Sequence, residues 1–233
     1  MSEGGQSLRE RRRVETQRMI QAHAMRLFAE HGYDATTVNQ IAHAAGVSSM
    51  TVYRHFPTKE DLVLHDGYDP LIASRVAARP AGEPLVRRIG RTLVETTRDV
   101  LGPAAGDRPS PERELLLARL RLMIDTPALR ARHLDSQYAT QRAIVGALLG
   151  EAPDPEAEFR VWVAAGACLA AMHVALTRWA REDGRADLPG LIAAALGAAF
   201  GEEFGRDSGG ELGEGAGGDA AGGSGRDAGE AAG

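Results

Sequence analysis

A chain of 233 residues with 43 % hydrophobic side chains has enough apolar mass for a packed core, and room for one large domain or two smaller ones. Its one cysteine, Cys168, excludes an internal disulfide and fits a reducing compartment. The chain shows neither a run of about 18 apolar residues nor an apolar signal core after MSEGGQSLRERRR, so a soluble cytoplasmic protein without membrane association is expected. The formal net charge of −5 argues at first against a nucleic-acid partner. Its distribution does not: from Glu202 onward eight acids face two arginines, a balance of −6 that leaves +1 over residues 1–201, and residues 1–59 carry eight basic groups against five acids.

Residues 1–10 are polar and glycine-bearing and read as a flexible arm. Arg12 and Arg13 then open a helix expected from about Arg12 to His31, where they suit phosphate or minor-groove contacts. Ile20, Ala24, Leu27 and Phe28 recur at helical spacing and should form one wall of a three-helix unit that Gly32 closes.

The stretch TTVNQIAHAAGVSSMTVYRHF, residues 36–56, has helical apolar spacing on both sides of a break at Gly46 and Val47. Gly46 can take a positive φ, which ends one helix and turns the chain, and Ser48 supplies a hydroxyl to cap the next. Ala42 is small enough for two short helices to cross closely. The pattern is a helix-turn-helix whose second helix, about Ser49 to His55, would lie in the major groove of double-stranded DNA. Thr37, Ser48, Ser49, Met50, Thr51, Tyr53, Arg54 and His55 are the candidate contacts, with Val52 and Phe56 turned into the core. Thr58 should cap a further helix. Lys59, the only lysine, would stand in that helix's first turn, where the macrodipole disfavours a cation, so a DNA phosphate explains its placement better than helix stability does.

Residues 42–62, with Ala42, Ala45, Gly46, Val47, Ser48, Thr51, Tyr53, His55, Phe56, Lys59, Glu60 and Leu62 in ungapped register, resemble the DNA-binding signature of the TetR family of transcriptional regulators. The resemblance covers about the first quarter of the chain closely. It implies an all-α fold: an N-terminal three-helix DNA-binding domain over residues 11–58, and a larger helical ligand-binding and dimerisation domain over 59–204. It also implies a regulator, most often a repressor, released from DNA by a small-molecule effector.

The helix from Thr58 carries Leu62, Val63, Tyr68, Leu71, Ile72 and Val76 and would join the domains, with an interruption or kink around Gly67, Asp69 and Pro70. Beyond Pro80 the pattern is helical throughout, with helices at about Pro84–Leu101, Pro111–Ile124, Ala128–Leu149, Pro155–Arg181 and Leu188–Phe204, punctuated by Pro and Gly clusters. The last two are apolar over more than one narrow stripe. A homodimer with a four-helix seam is expected, built from Val161, Ala165, Leu169, Met172, Leu176 and Trp179 with Ile192, Ala195, Leu196 and Phe200.

Between connector and seam, Leu93, Leu116, Leu120, Met123, Leu134, Tyr138, Phe159, Trp162 and His173 are candidate lining groups of an effector pocket, apolar with a few polar handles. The segment RLRLMIDTPALRAR, residues 119–132, resembles the C-terminal domain of many actinobacterial TetR-type regulators, some of which answer to long acyl-CoA ligands. The seven histidines form no recognised metal motif, no catalytic set is present, and no cofactor is implied, so an enzyme is not expected. Residues 205–233, rich in Gly, Ala and acid, read as a disordered tail. The rival reading is a DNA binder that has lost effector control and has no sizeable cavity.

Overall fold

The computed structural model describes residues 3–65, 67–102, 110–149, 154–201 and 204; the expected tail from residue 205 lies outside them. Among the described residues there are ten helices and no strand. They are α1 (Glu3–His31), α2 (Val38–Ala44), α3 (Ser49–His55), α4 (Asp61–Leu64), α5 (Asp69–Ala78), α6 (Leu85–Leu101), α7 (Pro111–Asp125), α8 (Pro127–Leu148), α9 (Pro155–Arg181) and α10 (Leu188–Phe200).

Local chemistry sets most of these boundaries. Ser110, Asp154 and Asp187 accept hydrogen bonds from the backbone N–H groups of Arg113, Ala157 and Gly190 at 3.2, 3.1 and 2.9 Å. A proline sits in the first turn of α5, α7, α8, α9 and α10, where its missing N–H costs nothing. The N-terminal arm is not separate from the first helix, since α1 begins at Glu3. The chain is interrupted around Gly67, Asp69 and Pro70 as expected, but as a full break and not a kink: α4 ends at Leu64, Gly67 takes φ +71°, and Pro70 helps start α5.

Two buried clusters result. The smaller joins Ile20, Ala24 and Phe28 of α1 to Ile41 and Ala42 of α2, Val52 and Phe56 at α3, and Leu62 and Val63 of α4. Leu129 of α8 belongs to it too, and Leu115, Ala118 and Leu122 of α7 pack against it, so this packing unit runs past residue 58 and takes side chains from the larger domain. The larger cluster is built on α6, α7, α9 and α10 around Ile89, Leu93, Met123, Ala165, Trp179 and Ile192.

The junction between the clusters is polar and specific. The last carbonyls of a helix lack intrahelical partners. In α4 and just past it they are taken from both sides. Arg119 of α7 donates to Val63 O at 2.5 Å and Leu64 O at 3.1 Å, and Gln21 of α1 donates to His65 O at 2.6 Å.

The seam expected from sequence needs correction as well. Val161, Ala165, Leu169, Trp179, Ile192 and Leu196 are buried within the protomer's own core, and Met172, Leu176, Ala195 and Phe200 pack against it. The apolar residues that α9 exposes are Phe159, Val163 and Val174, at 62, 53 and 64 %. By length and composition α9 could cross a membrane, but one side of it packs on α6, α8 and α10, which accounts for much of its apolar character.

Candidate nucleic-acid interface and pocket

Thr37 begins α2 with a complete capping box: its hydroxyl accepts from Gln40 N at 3.3 Å while Gln40 Oε1 accepts from Thr37 N at 2.7 Å. The turn closes as its residues require. Gly46 has φ +66°, and Val47 N donates to Ala42 O at 3.0 Å. Ser48 caps α3, accepting from Thr51 N at 3.1 Å and sharing a hydrogen with the Thr51 hydroxyl at 2.9 Å. Ser49 donates to Asn39 Oδ1 at 2.7 Å, which ties α3 to α2 across the turn. Asn39 is not among the residues expected from sequence; its place near Thr37 on the exposed side of α2 is the only hint the sequence holds.

Anchored in this way, α3 buries Val52 and presents Met50 and Tyr53, 68 and 47 % exposed, together with exposed Arg54. Ser49, Thr51 and His55 are half-buried at its edges, and Arg12 and Arg13 are exposed on α1. Burial, with the charges of Arg13 and Arg54 adding to it, holds the His55 imidazole below its ordinary pKa, so Arg13 acts electrostatically on the end of α3.

Lys59 departs from expectation. It precedes α4, its Nζ donates to Tyr33 O at 2.5 Å, and it lies 4.2 Å from the Tyr33 ring centroid. Burial lowers its pKa, with Asp34 and Glu60 acting the other way. An internal carbonyl and an aromatic face therefore account for a cation here without an external anion. Thr58 does cap the turn as expected: its Oγ1 accepts from Asp61 N at 3.3 Å, and Asp61 Oδ2 accepts from Thr58 N at 2.9 Å.

The larger domain holds a half-open pocket of about 120 Å³ among α5 to α9, with Val63 and Leu64 of α4 on its wall. Of the expected lining groups, Leu93, Leu116, Leu120, Met123 and His173 face it. Leu134, Tyr138 and Phe159 do not: all three are exposed. Trp162 stacks on Tyr138 at 5.5 Å between centroids, outside the cavity. The reason is the rotation of α8. Its inward stripe is His133, Ser136, Gln137 and Thr140, a helical spacing of polar residues that an apolar search passes over although it stands in the sequence. His133 Nε2 and His173 Nδ1 lie 3.0 Å apart, and Thr140 donates to Asp69 Oδ1 at 2.7 Å. Cys168 is buried, and burial pushes its thiol up to about 12, which marks it as inert packing.

A capped pair of short helices, joined by a glycine turn and presenting one polar face beside basic α1, defines a helix-turn-helix DNA-binding protein with a second helical domain. The comparisons agree. Residues 20–65 match the family of bacterial regulatory proteins named tetR, and residues 91–199 match the MftR C-terminal domain, so the chain belongs to the TetR family. It is 35 % identical over 135 residues to the HTH-type transcriptional regulator TcmR of Streptomyces glaucescens, covering 56 % of this chain and 57 % of that one. It is 35 % identical over 126 residues to the HTH-type transcriptional repressor AcnR of Corynebacterium diphtheriae, covering 52 and 57 %. The chain thus spans little more than half the length of these relatives. The crystal structure of FadR from Bacillus subtilis with stearoyl-CoA aligns with a TM-score of 0.49 at 18 % identity, over 78 % of this chain and 97 % of that one.

Proposed function

We propose that the protein is a homodimeric transcriptional repressor of the bacterial cytoplasm, without enzymatic activity, that binds a near-palindromic operator and leaves it when a small molecule fills the cavity between α5 and α9. The observation that carries this reading is the exposed face of α3, Met50, Tyr53 and Arg54, held at a fixed angle by the Ser48 cap and the Ser49–Asn39 hydrogen bond. A rigid short helix with its polar side outward fits a major groove about 12 Å wide. Two of them on one dimer would reach half-sites about 34–36 Å apart. Arg54 reads a base edge; Tyr53, His55, Arg12, Arg13 and the two Lys59 hydrogens not given to Tyr33 serve phosphates. Release needs only that the ligand favour an arrangement with the wrong spacing, since each site must then weaken the other by the same factor.

Operator selection with the wild type and two variants tests the assignment. Arg54→Ala should relax the preferred sequence at one position per half-site and cost about 1–3 kcal/mol there. Lys59→Ala should weaken all sequences alike and lower the salt slope by about 0.9 for each phosphate it no longer neutralises. An unchanged preference in the Arg54 variant removes the base-reading role.

A further inference from the structure

The pocket is lined by two kinds of group: apolar side chains that include Leu93, Leu120 and Met123, and the pair His133 of α8 and His173 of α9, 3.0 Å apart. One hydrogen lies between the two rings, and its owner decides what His173 Nε2 offers. When His133 donates, His173 accepts at Nδ1 and must carry its own hydrogen on Nε2; when His173 donates at Nδ1, Nε2 is a bare acceptor. One position can therefore meet either an acid's O–H or its oxygen anion. The pocket is half-open and holds about 120 Å³ of free volume, the scale of one aromatic ring.

We infer that this cavity binds a one-ring organic acid, a phenol or a benzoate-type carboxylate, with its ring among Leu93, Leu120 and Met123 and its acidic oxygen on His173. This rests on the cavity being the effector site. The other charged or titratable groups facing it are Asp69 from α5, which accepts from Thr140, and Arg119 from α7, which is drawn to the α4 carbonyls; α4 and α6 contribute only apolar side chains. Burial keeps the His173 imidazole below its ordinary pKa. A phenol meets the bare Nε2 with its own O–H, whereas a carboxylate, ionised in solution, meets the Nε2–H of the other tautomer, and neither needs a proton from solvent.

Calorimetry on the full chain between about pH 6 and pH 8, in buffers of different ionisation enthalpy, tests this with p-cresol, p-toluate, toluene and 4-methylbenzylamine. One or both acids should bind at least about tenfold more tightly than toluene and the amine, the worth of one charge-assisted hydrogen bond. Neither acid should take up a proton from the buffer as it binds, and the tighter of the two names the class of acid. His173→Gln and His173→Leu, with melting followed by circular dichroism to confirm folding, should lose the discrimination and keep toluene binding. Equal binding of toluene or the amine, unchanged discrimination in both folded variants, or no binding by any of the four overturns the inference. Operator binding in the same samples separates the two readings: if DNA is bound and no acid is preferred, the ligand class falls and the repressor stands.

Discussion

Arg113 of α7 donates to Gly184 O at 3.2 and 2.5 Å and to Ala186 O at 2.8 Å, and its guanidinium lies 5.3 Å from the Trp179 ring centroid. It holds the turn between α9 and α10, where Asp183 and Gly184 both take positive φ. Arg113→Ala should cost about 2–3 kcal/mol, as expected for charged hydrogen bonds to turn carbonyls, with Ala186 O keeping its bond from Trp179 Nε1 at 2.9 Å. Denaturant melts would show it, with half-site recognition by α3 unaffected. His55 and His173 carry a second expectation at this scale. Burial lowers both below the ordinary imidazole value of about 6.5. A depressed histidine binds fewer protons in the folded state, so its contribution to stability is present above the unfolded pKa and is lost as pH falls through the folded one. Melting temperature should therefore drop as pH falls below about 6.5, and less steeply in His55→Gln. Residue identity makes the DNA face readable, because caps, a glycine turn and outward polar groups are local properties. The internal partners of Lys59, Tyr33 O and the Tyr33 ring, are not legible in the sequence because they lie 26 residues away along the chain.

Among the elements, α4 is the shortest, with four residues, yet it touches both halves of the molecule. Its Leu62 and Val63 are buried in the smaller core, while Val63 and Leu64 line the cavity. Arg119 lines that cavity and also holds the Val63 and Leu64 carbonyls. A ligand that shifts Arg119 therefore acts directly on the helix that positions the DNA-binding unit. Arg119→Leu and Gln21→Leu should each leave both domains folded and change operator affinity by about 3–10-fold, the range of one net hydrogen bond. Arg119→Leu should in addition reduce the effect of any cavity ligand on DNA binding; a full ligand effect in that variant, measured by fluorescence anisotropy, removes α4 as the link. Helix positions are largely legible in the sequence, since proline starts and capping side chains mark them. The α4 to α5 break is legible only as a disturbance, because Pro70 reads equally as a kink or as a first-turn residue until the neighbours are known.

For the whole molecule, the question is which face of α9 belongs to the protomer and which to a partner. The sequence shows a helix apolar nearly all round, and periodicity alone does not tell a core stripe from a seam. Packing does. Val161, Ala165, Cys168, Leu169 and Trp179 fill the protomer's core, and the remaining apolar face carries Phe159, Val163 and Val174. Exposed Ala194 and Ala198 on neighbouring α10 are small enough for a second copy to approach closely. Val163→Glu with Val174→Glu should therefore give a folded monomer in analytical ultracentrifugation at micromolar concentration. Because a dimer engages two half-sites at once, operator affinity should fall by about 10²–10⁴-fold while binding to a single half-site survives. Leu196→Ala is the opposing case: its side chain is fully buried in the protomer, so it should cost about 2–5 kcal/mol of stability and leave the stoichiometry unchanged. A dimer that persists in the glutamate variant, or one that dissociates in the Leu196 variant, would place the partner on a different face and cancel the half-site spacing derived from this one.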